Sequence, residues 1–169
     1  ALRTQIGQRP VLLCASTREG EEALLLDGYM RTTLPADMLL LMVPRHPQRF
    51  DDVVRLFEAQ GLRVARKSQL RGAPVPADAQ VLVGDTMGEM VAYYTACDLA
   101  FIGGSLLPLG GQNLIEACAC GKPVLFGPHT FNFMQASEDA VASGAARRVD
   151  HARQLFQSVF DLLAEPAQC

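Results

Sequence analysis

Short, continuous apolar runs alternate along this chain with longer amphipathic stretches, and this alternation limits the folds open to it. Unbroken apolar runs are typical of strands that are buried on both faces of a sheet. We interpret these strands as Val11–Ala15, Leu39–Val43, Leu62–Ala65, Val81–Val83, Leu99–Ile102, Val124–Phe126 and Ala146–Val149. The pattern predicts an α/β fold, a Rossmann-like doubly wound parallel sheet with helices on both faces.

The amphipathic stretches between these runs predict helices. Gly61 supplies a stop signal for the second of them, and Pro35 follows the first. The predicted helices are Glu19–Leu34, Gln48–Gln60, Met87–Ala96, Gln112–Cys120, Asn132–Ser143 and Ala152–Leu163.

Length and charge exclude several classes of protein for this chain. The chain has 169 residues, of which 49% are hydrophobic, so one domain with a sizeable core is expected. A formal net charge of −3 gives no reason to expect a nucleic-acid partner. No apolar run reaches the roughly 18 residues that span a bilayer. Because the chain starts with Ala and shows no secretory signal, we expect a soluble piece of a longer protein.

The cysteines do not suggest a metal site. There are five, an odd number scattered through apolar segments, which favours packing in a reducing compartment over a disulfide framework. Cys118 and Cys120 point to different faces of a predicted helix, and no histidine is near them in sequence. We expect neither a metal nor a cofactor.

Function should be sought beyond the carboxyl ends of the strands, where a doubly wound sheet binds its ligands. Five segments occupy such positions: Ser16–Glu21, Pro44–Pro47, Gly84–Glu89, Gly103–Asn113 and Gly127–Asn132. No Ser/His/Asp order, Walker lysine or H-E-x-x-H helix appears, and no residue stands out as a base.

The turn Pro44-Arg45-His46-Pro47 holds an arginine at a strand end between two stiffening prolines. A guanidinium there can fork onto a phosphate, and the alternative is a surface arginine paired with an acid. His46 is a further candidate, with a hydrogen-bonded loop histidine as its alternative.

The segment Gly84–Glu89 allows two interpretations. Asp85 or Thr86 can cap the next helix, and Glu89 stands three residues after Thr86, as in a capping box. Alternatively the backbone of 87–89 lines a ligand groove, with Gly88 allowing close approach.

The glycine pair Gly110-Gly111 opens a predicted helix with Asn113 and Glu116 on one face of its first turn. A carboxylate there either complements the helix dipole or binds hydroxyl groups, as in ribose recognition. The spacing is not G-x-G-x-x-G, so no dinucleotide site is indicated.

The end of the first strand also allows two interpretations. Ser16 or Thr17 would cap the next helix, whose first turn is rich in glutamates. Arg18 facing a cleft is the functional alternative.

Five motifs in this order resemble the C-terminal half of the 3-deoxy-D-manno-octulosonic acid (Kdo) transferases of lipopolysaccharide biosynthesis. The similarity runs from about Val11 to Asp150, and its motifs are ASTREGEE, VPRHPQRF, VGDTMGEM, FIGGSLLPLGGQNLIEA and GPHTFNF. The resemblance implies one half of a two-domain glycosyltransferase of the GT-B type. Residues 1–169 would form its single C-terminal domain, which binds the donor CMP-Kdo through cytidine monophosphate (CMP).

Residue by residue, the resemblance implies CMP contacts at Pro44, Arg45, Met87, Gly88, Glu89, Asn113, Leu114, Ile115 and Glu116. Further candidates around the cleft are Arg18, His46, Gly104, Ser105 and Gln112. Relatives commonly have His where this chain has Gln112, and Gln cannot take up a charge, so no titrating role is expected at this position.

The implied enzyme is an inverting transferase that moves Kdo from CMP-Kdo to a lipid A precursor at the cytoplasmic face of the bacterial inner membrane. Its catalytic carboxylate, acceptor site and membrane contact would belong to an N-terminal domain outside this chain, so no catalytic residue is expected here. The alternatives are a UDP-sugar transferase or epimerase of the same fold, and a non-catalytic nucleotide-binding module.

Overall fold

The computed structural model describes residues 2–86, 88–112 and 114–164, and its centre is a seven-stranded sheet in which every strand pair is parallel. The strands are β1 (Val11–Thr17), β2 (Leu39–Pro44), β3 (Val64–Arg66), β4 (Val81–Val83), β5 (Leu99–Ile102), β6 (Val124–Phe126) and β7 (Ala146–Arg148). Their order is β3-β4-β2-β1-β5-β6-β7. The predicted Rossmann-like α/β class is confirmed.

Helices cover both faces of the sheet. They are α1 (Leu2–Ile6), α2 (Glu21–Arg31), α3 (Phe50–Glu58), α4 (Lys67–Leu70), α5 (Met90–Ala96), α6 (Ile115–Ala119), α7 (Met134–Ala142) and α8 (Ala152–Leu163). Short 3₁₀ helices at Pro47–Arg49 and Phe131–Phe133 precede α3 and α7. No helix in the described residues is long and apolar enough to cross a membrane.

Alternate residues of the central strands feed two separate cores. Leu13 of β1 packs in the layer with α1, α5, α6 and α7, whereas Leu12 and Cys14 pack in the layer with α2, α3 and α8. All three are inaccessible to solvent. This two-sided burial is why the strands are continuous apolar runs.

Several predicted boundaries are wrong, and most errors lie at helix starts. The first long helix begins at Glu21 rather than Glu19, because Gly20 adopts a left-handed φ of 87° at its N-cap. Neither Ser16 nor Thr17 caps it, which corrects that interpretation. The predicted helix from Gln112 begins only at Ile115, and α1 and α4 were not predicted at all.

Strand β1 marks the point where the chain changes direction across the sheet. It pairs with β2 on one side and β5 on the other, so the loops after these strands flank the end of β1. A bulge at Ala15–Thr17 and a left-handed φ of 56° at Ser16 turn the end of β1 at this switch point. Ligands of doubly wound sheets bind at such a crevice.

Candidate functional site

The loops after β2 and β4 form a cleft of about 160 Å³ at the carboxyl edge of the sheet. We call it the β2–β4 cleft; its main lining residues are Ser16, Pro44, Arg45, Phe50, Gly88 and Glu89. The structure therefore brings together two segments that the sequence singled out, Pro44–Pro47 and Gly84–Glu89. They meet because β4, not β3, is the neighbour of β2.

Arg45 projects from the rim of this cleft. Its N–H donates to the Thr17 carbonyl at 2.8 Å, which ties the turn to the end of β1. Within the described part of the chain, its exposed guanidinium has neither a hydrogen bond nor an ion pair. Pro44 is buried as the last residue of β2, and half-buried His46 accepts a backbone bond from Arg49 at 3.0 Å. The turn thus presents an unneutralised cation to the cleft.

The opposite wall contains Glu89, whose carboxylate accepts from the Thr86 hydroxyl and lies 3.2 Å from the Lys67 ammonium. These two donors, Thr86 first, hold the pKa of Glu89 below its ordinary value. The Thr86 hydroxyl is also 2.6 Å from that of Tyr93.

The predicted capping box at Thr86 is incorrect, because Glu89 itself is the N-cap of α5 and its side chain caps nothing. Gly88 has a left-handed φ of 76°, and α5 begins after it, at Met90. Met87 lies outside the described residues. The Asp85 carboxylate accepts from the Ser68 N–H at 2.8 Å, which secures this loop to α4.

The third predicted segment does not line the β2–β4 cleft in the described residues. Leu114 is buried, and Leu114 and Ile115 line a separate groove of about 330 Å³ against α7. Glu116 is exposed at the start of α6, close to buried Tyr94 of α5. Burial and, after it, the charge of Glu116 raise the pKa of Tyr94. Asn113 lies outside the described residues.

The glycine loop before α6 is folded back onto the end of β5. Gly111 donates to the Gly104 carbonyl at 2.9 Å, and Gln112 donates to the Gly103 carbonyl at 3.0 Å. Gly110 has a φ of 91°, which an L side chain rarely adopts. Half-buried Gln112 is therefore held beside Gly104 at the crevice.

The backbone N–H groups that follow β5 bind a buried carboxylate. Glu21, fully buried, accepts from the N–H groups of Gly104 at 2.8 Å, Ser105 at 3.1 Å and Leu106 at 3.1 Å. Burial raises the pKa of Glu21 although these hydrogen bonds oppose the shift. The sequence predicted only a helix-dipole role for it, and the signal that was missed is an acid directly after a turn glycine.

Ser105 links the ends of β5 and β6. Its fully buried hydroxyl donates to the Ile102 carbonyl at 2.5 Å and accepts from the Gly127 N–H at 2.8 Å. The polar groups of Ser105 and the N–H of Gly104 are thus used inside the protein, so both shape the crevice. Arg18 is half-buried, and its N–H donates to Glu21 at 3.2 Å.

Within residues 2–86, 88–112 and 114–164, no three His, Cys, Asp or Glu side chains are grouped to hold a metal ion. Among the described residues, the polar groups that line the β2–β4 cleft include the free cation of Arg45, the Glu89 carboxylate and the open backbone of Gly88. The fold and this edge define the class: a Rossmann-like α/β domain of the kind that forms one half of a GT-B glycosyltransferase.

Comparison with known proteins gives the family. A scan against protein-family models finds no match. The chain is 52% identical to 3-deoxy-D-manno-octulosonic acid transferase of Bordetella pertussis over 165 residues, 95% of this chain and 38% of that protein. It is 42% identical to the Haemophilus influenzae enzyme of the same name over 137 residues, 79% of this chain and 31% of that protein.

A solved structure agrees with this. The C-terminal CMP-Kdo binding domain of WaaA from Acinetobacter baumannii superposes with a TM-score of 0.89 at 32% identity, covering 98% of this chain and 86% of that domain. The chain therefore belongs to the Kdo transferase family, and the resemblance drawn from its motifs is confirmed. It spans less than two fifths of the length of these curated relatives.

Proposed function

We propose that this chain is the donor-binding domain of a Kdo transferase and holds CMP-Kdo by its nucleotide. The observation that carries the proposal is the unpaired Arg45 guanidinium at the rim of the β2–β4 cleft. The solved Acinetobacter baumannii relative is described as a CMP-Kdo binding domain, which supports the same ligand.

Arg45 would neutralise the CMP phosphate. A guanidinium presents parallel N–H donors that match two phosphate oxygens, and it stays charged at any physiological pH. The backbone bond to Thr17 fixes the position of the turn, whereas the free Arg45 side chain would become ordered only when it meets the phosphate. The same contact would stabilise the negative charge that develops on CMP as it leaves.

The backbone around Gly88 would read the base. A Cβ at Gly88 would meet nothing within 4 Å, so a planar ring can approach the chain closely on this side. Backbone N–H and C=O groups of 87–89 can then pair with the polar edge of cytosine. The half-buried Glu89 side chain has its pKa lowered, so it would face the ligand as a carboxylate.

Glu116 would bind the ribose hydroxyls together with Asn113. Helix α5 starts at the β2–β4 cleft, and the charge of Glu116 acts on Tyr94 of the same helix, so α5 is the element that links the start of α6 to the cleft. Leu114 and Ile115 complete this segment. His46, Arg18 and Gln112 lie on the loops around the crevice and are secondary candidates for contact with the Kdo sugar.

The complete reaction would be inverting transfer of Kdo to a lipid A precursor at the cytoplasmic face of the inner membrane. The carboxylate that deprotonates the acceptor hydroxyl, the acceptor site and the membrane contact would be supplied by the part of the relatives that this chain does not cover. This chain alone would bind CMP and transfer nothing, and transfer by the purified chain would contradict that division.

Calorimetric titration with CMP and, in parallel, with uridine monophosphate tests the proposal. We expect CMP to bind more tightly, because the two bases differ at the edge that the backbone would read. Preference for the uridine nucleotide would instead favour a UDP-sugar transferase or epimerase. CMP binding without Kdo transfer after a matching N-terminal half is supplied would favour a non-catalytic binding module.

A further inference from the structure

Helix α2 begins with two adjacent buried carboxylates, Glu21 and Glu22, which are 0% and 1% exposed. Complementing a helix dipole does not require burial, and exposed glutamates would do it at no desolvation cost. Neighbouring residues on a helix point about 100° apart. The two side chains therefore diverge to opposite sides of β1, the strand that α2 follows.

Glu21 reaches the β5 side. Its two oxygens accept the N–H groups of Gly104, Ser105 and Leu106, which are 83 to 85 residues away in sequence. The Gly104 carbonyl also accepts a hydrogen bond from the Gly111 N–H. The loop that leads into α6 is therefore held through both the N–H and the carbonyl of Gly104. The position of the first turn of α6 consequently depends on Glu21.

Glu22 reaches the β2 side. Its Oε1 lies 2.8 Å from the Arg49 guanidinium, whose side chain is only 19% exposed. Arg49 ends the 3₁₀ helix that follows Arg45 and His46, and its N–H donates to the His46 carbonyl. The ion pair therefore holds the turn that carries Arg45 against α2.

We propose that Glu21 and Glu22 are positioning residues of the donor site, one fixing the glycine loop before α6 and the other fixing the Arg45 turn. The inference rests on the proposed function, since it concerns the placement of groups that would contact CMP. Neither carboxylate contacts the nucleotide. Loss of either one is expected to weaken nucleotide binding while the sheet stays folded.

The test compares Glu21→Gln and Glu22→Gln with Asp98→Asn. Gln keeps the volume of Glu21 and one acceptor oxygen, but its NH₂ group faces backbone donors in place of the other oxygen, so the glycine loop is held less firmly. The control, Asp98, also accepts a backbone N–H, that of Val11 at 2.8 Å, and pairs with Arg3, but it lies at the opposite edge of the sheet. CMP affinity by calorimetry, thermal unfolding and amide hydrogen exchange are measured on all three.

In Glu21→Gln we expect CMP affinity to fall roughly tenfold, the scale of a charge-assisted hydrogen bond. Exchange should rise at 103–107 and not at 45–49. Glu22→Gln keeps one acceptor for Arg49, so a fall of about threefold is expected, with faster exchange at 45–49 alone. Asp98→Asn should leave CMP affinity unchanged, even if it lowers the melting temperature as much as the two glutamate variants do.

The measurements distinguish failure of the positioning role from failure of the proposed function. If the parent chain binds CMP and Glu21→Gln loses no more affinity than Asp98→Asn, the positioning role is overturned and the proposed function stands. If the parent chain does not bind CMP, the proposed function is overturned, whatever the exchange pattern. Should Glu21→Gln fail to fold, unchanged affinity in Glu22→Gln would still overturn the proposal for the Arg45 turn.

Discussion

Gly103 lies so close to Ser16 that a Cβ at position 103 would come within 2.3 Å of the Ser16 carbonyl oxygen. The Gly103 N–H also donates to the Ala15 carbonyl at 2.7 Å, which fixes the end of β5 against the end of β1. Only a residue without a side chain permits this approach at the switch point. The glycine here serves close backbone packing, because its φ is not left-handed.

Gly103→Ala should therefore lower the free energy of unfolding by roughly 3 kcal/mol, since backbone on both strands must shift. Gly144→Ala is the matched control: its φ is 83° but a Cβ would meet nothing within 4 Å, so only strain of about 1 kcal/mol is expected. Urea unfolding of both variants measures the difference. Equal losses of unfolding free energy in the two variants would show that the close approach of β1 and β5 at Gly103 adds nothing to the cost of the substitution.

The sequence predicted the sheet well because burial on both faces leaves a local mark. All of Val81–Val83 and Leu99–Ile102 are 1% exposed or less, and both strands have the predicted bounds. The order of the strands leaves no such mark. That β4 rather than β3 lies beside β2, which creates the β2–β4 cleft, follows from contacts between distant segments.

The site was predicted less completely, for the same reason. Gln112 looked helical from its local pattern, but its N–H pairs with the Gly103 carbonyl and delays the helix to Ile115. The local pattern indicates a helix-dipole role for Glu21, but three of its four hydrogen-bond partners lie more than 80 residues away. The contacts of the predicted residues with CMP remain predictions.

Arg45→Ala should weaken CMP binding by about 1–3 kcal/mol, the usual contribution of a charge-assisted hydrogen bond. Its stability should hardly change, because the Arg45 side chain is exposed and has no hydrogen bond or ion pair within the described part of the chain. The control is Arg55→Ala, which also removes an exposed arginine, but one that lies in α3 and not in the cleft. Calorimetry that finds the two variants alike would remove Arg45 from the site.

Gly88→Ala should separate binding from stability. Position 88 has a φ of 76° and open space around it, so alanine costs about 1 kcal/mol of strain. Gly61→Ala has the same features, with a φ of 81°, at the end of α3, away from the cleft. Both variants should lose similar stability, but only Gly88→Ala should bind CMP more weakly, because Gly88 lines the β2–β4 cleft and Gly61 does not. Equal CMP affinities would argue against a base-reading role for this backbone.

The Glu89 carboxyl should titrate below its ordinary pKa of 4.5, because the Thr86 hydroxyl and then the Lys67 ammonium favour its charged form. For an acid with a lowered pKa, the stabilisation is present above the ordinary pKa and is lost as the pH falls through the lowered one. Thr86→Val and Lys67→Met should each raise the pKa of Glu89 toward its ordinary value. Carboxyl carbon chemical shifts followed by NMR through the acid range give both values.

The lowered pKa of Glu89 should also make the stability of the protein depend on pH. The difference in unfolding free energy between the parent chain and Lys67→Met should be largest near neutral pH and shrink below the lowered pKa of Glu89, where the carboxyl is protonated in both. Lys122→Met, which removes a lysine just before β6 at the far edge of the sheet, should leave the pKa of Glu89 unchanged. A difference that stays constant through the acid range would mean that Lys67 stabilises the fold by packing rather than by its charge on Glu89.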